Sequence, residues 1–217
     1  YRLKHLKKQK NYFCDYFFMY NKKIGKIYQS FLKGKFIPIG SFKSNDTLKR
    51  KVKKNIDLLY VSVFRYQQPE KRENLIFFNN LNKFCLNKKI KLHILGSIGI
   101  ERENEYNAEK KYYKKMFKKI NYELIPRTKI RNAYKIVDKS KIILNIDSSL
   151  GYEAAARGNM VCFFCIRKKT YPLNSLQFGW PNKMPYKGPF WTDNSVYKEF
   201  QRLMNYASNK KYKNEYK

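Results

Sequence analysis

Glycine, proline and alanine are scarce in this chain, at 9, 7 and 6 of 217 residues, and 16 acidic residues face 48 lysines and arginines. No run of about 18 apolar residues occurs, the least that a membrane-spanning helix needs. No charged, apolar and small-residue succession marks a signal peptide either. The four cysteines, Cys14, Cys85, Cys162 and Cys165, are too few and too scattered for a disulfide framework. Cys162 and Cys165 have C-x-x-C spacing, yet they fall in an expected strand, where residues three apart point to opposite faces. With His5 and His93 the only histidines, these cysteines read as buried apolar thiols and not as a zinc or redox centre. The chain has no G-x-G-x-x-G turn and no P-loop lysine motif, which argues against a dinucleotide cofactor. It also lacks an Asp-x-Asp pair, so neither a metal nor another cofactor is expected.

What is present is positive charge, a formal +32. The 38 lysines outnumber 10 arginines and come with 21 Asn, 19 Tyr, 18 Ile and 16 Phe. Residues with A/T-rich codons are high and those with G/C-rich codons low, and the lysines run over the whole length. Codon bias in an A/T-rich genome produces this pattern without selection for binding, so no nucleic-acid partner is expected. A residual attraction to anionic lipid headgroups follows from the charge itself. A non-catalytic polyanion-binding protein is the alternative function class. The first residue is Tyr1 and not Met, which reads as a fragment or a processed chain. The visible part is expected to be cytoplasmic, with peripheral contact at the inner face of the cytoplasmic membrane.

The chain is organised around residues 141–164. Ile142, Ile143, Leu144 and Ile146 form the near-continuous apolar run of a strand buried on both faces of a parallel sheet, and Val161 to Ile166 form a second. Ala154, Ala155 and Ala156 predict a helix between them, with Gly158 as its C-cap. Upstream, strands are expected at Ile56–Phe64, Lys91–Leu95 and Tyr122–Ile125. Helices are expected at Glu70–Leu86, Glu105–Lys119 and Ile130–Asp138. Leu75, Ile76, Phe78, Asn79 and Asn82 mark the first of these helices, and Tyr112, Tyr113, Met116 and Phe117 the apolar face of the second. The fold class is therefore α/β, a doubly wound Rossmann-like parallel sheet of five strands ordered 3-2-1-4-5. Ahead of it, Cys14–Tyr20 predicts a strand, Asn21–Lys33 a helix stopped by Gly34, and Phe36–Ser41 a short extended segment. The expected organisation is 1–42 as the remnant of an N-terminal domain, 43–55 as a linker, 56–208 as the Rossmann-like domain and 209–217 as a disordered basic tail. Thr170–Thr192, with both tryptophans, predicts a long loop, either a lid or an Ω-loop anchored by its aromatic residues. Ser195–Ala207 closes the chain as a helix with Val196, Phe200, Leu203 and Met204 inward.

In such a sheet ligands bind outside the carboxyl ends of the strands. Those ends carry Phe64–Arg65, Gly96–Ser97, Pro126–Arg127, Asp147–Ser148–Ser149 and Arg167. Arginines among small hydroxyl and glycine positions suit a phosphorylated ligand, and the helix start after Asp147 offers free N–H groups and a positive dipole end. Ser and Asp are equally ordinary N-cap residues. Two adjacent serines exceed what one cap needs, and Glu153 lies one turn into the helix.

The run Asp147-Ser-Ser-Leu-Gly-Tyr-Glu-Ala-Ala-Ala-Arg-Gly158, with Ile37-Pro-Ile-Gly-Ser41 upstream and Phe178-Gly-Trp-Pro181 and Gly188-Pro-Phe-Trp191 downstream, resembles bacterial surface-carbohydrate (lipopolysaccharide O-antigen) biosynthesis proteins. These are glycosyltransferases of the two-Rossmann-domain type called GT-B, and the resemblance covers roughly residues 12–208. More distantly, the order of strand, Asp-Ser-Ser, Glu and aromatic strand is similar to the nucleotide-binding half of glycerophosphate- and sialic acid-polymerising enzymes. The resemblance implies a C-terminal domain that binds a nucleotide-sugar donor, and a glycan or lipid-linked acceptor as the second partner. It implies that Ser148 and Ser149 hold the donor diphosphate, with Asp147, Gly96 and Ser97 lining the site. It further implies that Glu153 hydrogen-bonds the ribose and that Arg65 or Arg127 offsets charge on the leaving nucleotide. The general base would come from an N-terminal domain, so this chain alone is expected to bind nucleotide weakly and transfer nothing. A nucleotide-sugar epimerase or hydrolase on the same scaffold is the other alternative.

Overall fold

The computed structural model describes residues 12–45, 47, 52–66, 72–128, 130–168 and 176–209. The basic start at 1–11, part of the 43–55 link, the end of the first turn at 67–69, the opening of the aromatic stretch at 170–175 and the tail beyond 209 lie outside the described residues. The chain divides into two compact units, residues 1–48 and 49–217.

In the first unit, strands β1 (Tyr12–Met19) and β2 (Leu32–Pro38) pair in parallel around helix α1 (Lys22–Tyr28), and a single turn α2 (Phe42–Asn45) follows. Asn21 caps α1, its side chain accepting from the Ile24 amide at 3.0 Å. Helical spacing predicts this helix to reach Lys33, but it ends at Tyr28, and Gly34 lies inside β2 with a φ of 149°. The cause is a bulge in β1. Pairing slips by one residue between Phe13 and Tyr16, and a Cβ on Gly34 would lie 2.0 Å from the Cys14 carbonyl oxygen. Only glycine lets the bulged strand approach so closely. On the face toward α1, Phe17 packs against Tyr28 and Phe36 at 5.2 and 5.4 Å, and Met19 is buried in the space left by Gly25.

The second unit is the doubly wound α/β sheet that the sequence predicts. Its elements are β3 (Ile56–Val61), α3 (Arg72–Lys88), β4 (Leu92–Leu95), α4 (Glu103–Met116), β5 (Tyr122–Ile125), α5 (Ile130–Lys139), β6 (Ser140–Asn145), α6 (Ser149–Ala156), β7 (Val161–Phe164), β8 (Lys187–Gly188), β9 (Trp191–Thr192) and α7 (Tyr197–Ser208). The strand order is β5-β4-β3-β6-β7-β9-β8. The five longer strands are parallel in the expected 3-2-1-4-5 arrangement, and β9 adds to β7 in parallel while β8 pairs antiparallel with β9. The sheet thus has seven strands and not five. The two extra strands are two residues long, too short for any periodicity to announce.

Alternate residues of β3 feed opposite layers. Leu58 and Tyr60 join the core under α3, α4 and α7, with Phe77, Phe78, Leu81, Tyr113, Phe117, Phe200 and Leu203. Leu59 and Val61 join Tyr134, Val137, Ala154 and Trp191 on the other side. Cys162 belongs to the first layer and Cys165 to the second, as strand geometry requires. Burial pushes the Cys162 and Cys85 thiols each up to about 12, the behaviour of apolar core residues. The α3 stripe is Phe77, Phe78, Leu81, Phe84 and Cys85, whereas Leu75, expected on it, is exposed. Val196, expected inward, is also exposed and precedes α7 as its N-cap.

The predicted loop at 170–192 is described over residues 176–192 and anchored there by its rings. Phe178 stacks on Trp191 at 4.6 Å and meets Phe163 at 5.0 Å, and the Trp191 indole donates to the Pro185 carbonyl at 3.0 Å. Gly188 makes this possible, since a Cβ there would sit 2.0 Å from the Trp191 ring. Arg202 on α7 then fastens the hairpin, donating to the carbonyls of Gly188 and Trp191 at 2.7 and 3.3 Å and to Glu199 at 2.9 Å. Burial raises the Glu199 carboxyl, but the Arg202 hydrogen bond and charge outweigh it and hold the group below its usual range. Of the two readings of this stretch, the aromatic-anchored loop is the one the packing favours.

Candidate functional site

Because β3, β4, β5, β6 and β7 are parallel, their carboxyl ends lie along one edge. At the centre of that edge β6 ends in Asn145, fully buried, whose side-chain amide donates to the Ser148 carbonyl at 3.1 Å. The helix start is moulded over this side chain. A Cβ on Gly151 would lie 2.2 Å from the Asn145 amide carbon, so glycine allows α6 to sit down on the strand end. Ser148 has extended backbone (φ −77°, ψ 136°) and is the N-cap of α6, its hydroxyl accepting from the Leu150 amide at 3.3 Å. Ser149 is the first helical residue and is exposed. Its side chain is not engaged among the described residues. One serine therefore serves the cap, and the second stands free beside it at the positive end of the helix. At the other end of α6, Gly158 takes a φ of 74° as predicted for its C-terminal turn, its amide donating to the Ala155 carbonyl at 2.8 Å.

Asp147 and Arg167 complete this centre. The Arg167 guanidinium, on the turn after β7, donates to Asp147 at 2.6 Å and to the Val63 carbonyl at 3.3 Å, tying together the ends of β6, β7 and β3. Both side chains are about six-sevenths buried, at 14% and 16% exposure. Among the described residues, Asp147 Oδ1 and Arg167 Nε have no hydrogen-bond partner.

The remaining predicted residues sit elsewhere on the same edge or away from it. Gly96 and Ser97 follow β4; the Gly96 amide donates to the Ile125 carbonyl at 2.8 Å, and the polar groups of Ser97 turn inward to Glu109, a fully buried carboxylate on α4. Glu109 accepts from the amides of Ser97 and Ile98 at 2.9 and 3.1 Å and from the Ser62 hydroxyl at 2.6 Å. The Ser97 hydroxyl, with one proton to give, lies 3.1 Å from both Glu109 and the Phe64 carbonyl. A Cβ at Gly96 would press on Glu109 and on the Ile125 carbonyl at 3.1 Å. Tyr113 lies 2.7 Å from the Ser62 hydroxyl. Because the Ser62 hydroxyl gives its one proton to Glu109, Tyr113 is the donor of that pair, and burial first, then neighbouring Tyr60 and Glu109, push its phenol well above the usual range. Glu153 is half-buried and accepts from the Tyr134 hydroxyl on α5 at 2.8 Å. Arg65 and Arg127 have exposed guanidinium groups, and the Arg127 amide donates to the Ile98 carbonyl at 2.9 Å. Asp147, Ser148 and Ser149 are thus gathered with Arg167, while Gly96 and Ser97 form a separate buried centre. Among the described residues no three His, Cys, Asp or Glu side chains are grouped to hold a metal, and no helix is long and apolar enough to cross a membrane.

A protein-family model described as "putative O-antigen biosynthesis protein" matches residues 1–217. The chain belongs to this family. No protein of curated function matches it. Among solved structures, this chain is similar to the pneumococcal O-GlcNAc transferase GtfA, solved in complex with UDP and GlcNAc. That likeness is at 17% identity and a TM-score of 0.42, over 89% of this chain and 37% of that one. It is also similar to a GtfA/B complex at 14% identity and a TM-score of 0.46, over 100% of this chain and 42% of that one. The chain therefore spans about two fifths of the length of these structures.

Glu109 is not evident from the sequence, because α4 reads as a charged surface helix. A signal was available. Glu109, Tyr113 and Phe117 recur every four residues along the buried stripe, so a carboxylate at that position must face inward. Arg167 was legible as one of the strand-end arginines, but its pairing with Asp147 depends on the length of the β7 turn, which no spacing specifies.

Proposed function

We propose that this protein is the donor-binding part of a glycosyltransferase that moves a sugar from a nucleotide-activated donor to a growing surface glycan or a lipid-linked acceptor, within a GT-B arrangement. Residues 56–208 would be the donor domain. The observation that carries this reading is the convergence of the α6 N-terminus, the free Ser149 and the largely buried Arg167 at the carboxyl edge of a parallel sheet. Backbone amides and a guanidinium held in one place fit a diphosphate, whose charge they offset before and after the sugar leaves. Ser148 and Ser149 bind phosphate oxygens, and Arg167, oriented by Asp147, contributes the fixed positive charge. Glu153 takes the ribose hydroxyls in exchange for its bond to Tyr134. Arg65 or Arg127 approaches the leaving phosphate from solvent. Gly96 and Ser97, with Glu109 behind them, support the neighbouring strand end on the same carboxyl edge. The charge of the chain, which lysines dominate, keeps it at the inner face of an anionic membrane. The residues described here bind the donor, and the general base is supplied from outside them.

The test is a thermal-shift panel of CMP, CDP, UDP, GDP and dTDP on the chain and on Ser148→Ala/Ser149→Ala. A nucleotide at about a hundredfold its dissociation constant should stabilise the wild type by roughly 2.7 kcal/mol. One diphosphate should do so, and the double variant should lose the shift. Equal shifts in both proteins would place the nucleotide elsewhere.

A further inference from the structure

We propose that the cleft between α4 and the free edge of β5 is a docking groove that takes an extended, acidic segment of a partner protein by strand addition. β5 ends one side of the sheet, and among the described residues no strand pairs with its outer side. Its ladder to β4 is fixed at both ends. The Leu92 amide donates to the Asn121 carbonyl at 3.0 Å, and the Gly96 amide to the Ile125 carbonyl at 2.8 Å. Backbone groups alternate in direction along a strand. Residues 121, 123 and 125 therefore face β4, and Tyr122 and Leu124 turn their N–H and C=O groups outward. The far edge of the sheet differs, since it ends in β8, a strand of two residues fastened by Arg202. This edge is also interior to its domain, because α4 leads into β5 and α5 follows it.

The side chains of Tyr122 and Leu124 stand on the α4 side of the sheet, where with Tyr106, Phe117 and Ile120 they line a cleft of about 570 Å³. Free backbone and apolar floor thus belong to the same two residues. Lys110, Lys114 and Lys118 line the cleft as well, and all three are exposed. No ion pair among the described residues includes them. The nearby acids are engaged elsewhere: Glu105 meets Arg102, Glu109 is buried with Ser62 and Ser97, and Glu123 meets Lys91 on the opposite face. The backbone edge selects a polypeptide, since neither a lipid nor a nucleic acid offers N–H and C=O groups alternating at strand spacing. The lysines select acidic side chains. Lys110 and Lys114 are one turn apart, about 6 Å along α4, and residues two apart on a strand are separated by about 6.7 Å. A segment laid beside β5 therefore brings every second side chain over the cleft at nearly the step of the lysines. An apolar residue between two acids fits, with its side chain on the floor and the carboxylates toward the ammonium groups. A second copy of the chain would set its own lysines against these. The cleft lies on the flank of the sheet, so the inference does not rest on the donor site.

The probe is a fluorescein-labelled peptide, blocked at both ends, of sequence Thr-Glu-Thr-Phe-Thr-Glu-Thr, titrated with the full chain by anisotropy. Two N-methylated forms accompany it, one methylated at the threonines and the other at the glutamate and phenylalanine positions. Only one of these alternating sets can face β5. The wild type should bind the plain peptide, lose at least about tenfold in affinity for one methylated form and keep the other within about twofold. Lys110→Glu/Lys114→Glu/Lys118→Glu should bind the plain peptide at least about tenfold more weakly, whereas the charge-matched control Lys22→Glu/Lys26→Glu/Lys43→Glu should stay within about twofold. In hydrogen exchange read by NMR, bound peptide should slow the Tyr122 and Leu124 amides of the wild type. Thermal shifts with nucleotide should be the same in the α4 variant and the wild type, which separates failure of this groove from failure of the donor site. No binding of the peptide, the same affinity for both methylated forms, equal loss in the control or unchanged exchange at Tyr122 and Leu124 would overturn the proposal. So would a single-stranded oligonucleotide or a concentration-dependent dimer that the α4 variant abolishes while the peptide fails to bind.

Discussion

Glu109→Ala should lower the stability of the protein by about 3–5 kcal/mol in urea unfolding, enough to leave a chain of ordinary stability marginal. The carboxylate is the acceptor for the Ser97 and Ile98 amides and the Ser62 hydroxyl in the interior, and no cation stands beside it among the described residues. Alanine would orphan two buried backbone donors at about 1–3 kcal/mol each and leave a cavity under Gly96. Glu109→Gln separates the two causes. It keeps the volume and one acceptor, but it turns an amide N–H₂ toward one of the donors, so it should cost roughly half as much. If alanine and glutamine variants were both as stable as the wild type, Glu109 would not be the keystone of the β3–β4 edge.

Asp138→Ala should be comparably damaging, by about 3–5 kcal/mol, because it strands a buried arginine. Asp138 and Arg157 side chains are 7% and 5% exposed, and Asp138 also accepts from Asn159 at 3.0 Å. The Arg157 guanidinium lies 5.0 Å from the centre of the Tyr134 ring, and Tyr134 in turn donates to Glu153. Asn159 accepts from Lys54, which also reaches the Ser140 carbonyl at 2.6 Å. Lys54, Asp138, Ser140, Arg157 and Asn159 gather at the start of β6, the end away from Asp147, while Tyr134 and Glu153 carry the network along α5 and α6 and brace them against each other. Replacing both partners, as Asp138→Ala/Arg157→Met, should recover much of the loss, since a buried pair exchanged for apolar groups leaves no unpaired charge. A double variant no better than Asp138→Ala would show that the guanidinium matters for more than its pairing.

The parts of the fold that the sequence announced are those with a strong period. Ile142, Ile143 and Leu144 could only be a strand covered on both sides, and Gly158 takes the positive φ expected of a glycine past a helix end. Helix lengths near glycine were less legible, because Gly34 answers to the Cys14 carbonyl on another strand and not to its own neighbours. The hairpin of β8 and β9 is held by Arg202 from fourteen and eleven residues away, a contact no local pattern encodes. In the candidate site, Asp147, Ser148 and Ser149 were legible from the strand-to-helix change, and the structure separates their duties into ion pair, cap and free hydroxyl. Ser97 was legible only as a residue on the correct edge. Its inward turn toward Glu109 is a tertiary preference that two small residues after a strand do not reveal.

The most direct measurement of the donor-site proposal is a calorimetric titration of whichever of CDP, UDP, GDP or dTDP stabilises the protein most, run beside its nucleoside, into the wild type and Arg167→Ala. A hydrogen bond to a charged group contributes about 1.5–3 kcal/mol, so the variant should bind the diphosphate roughly tenfold to a hundredfold more weakly. Its affinity for the nucleoside should not change. Equal diphosphate affinity in the two proteins, or a wild type that binds nucleoside and diphosphate alike, would contradict a phosphate site at the start of α6.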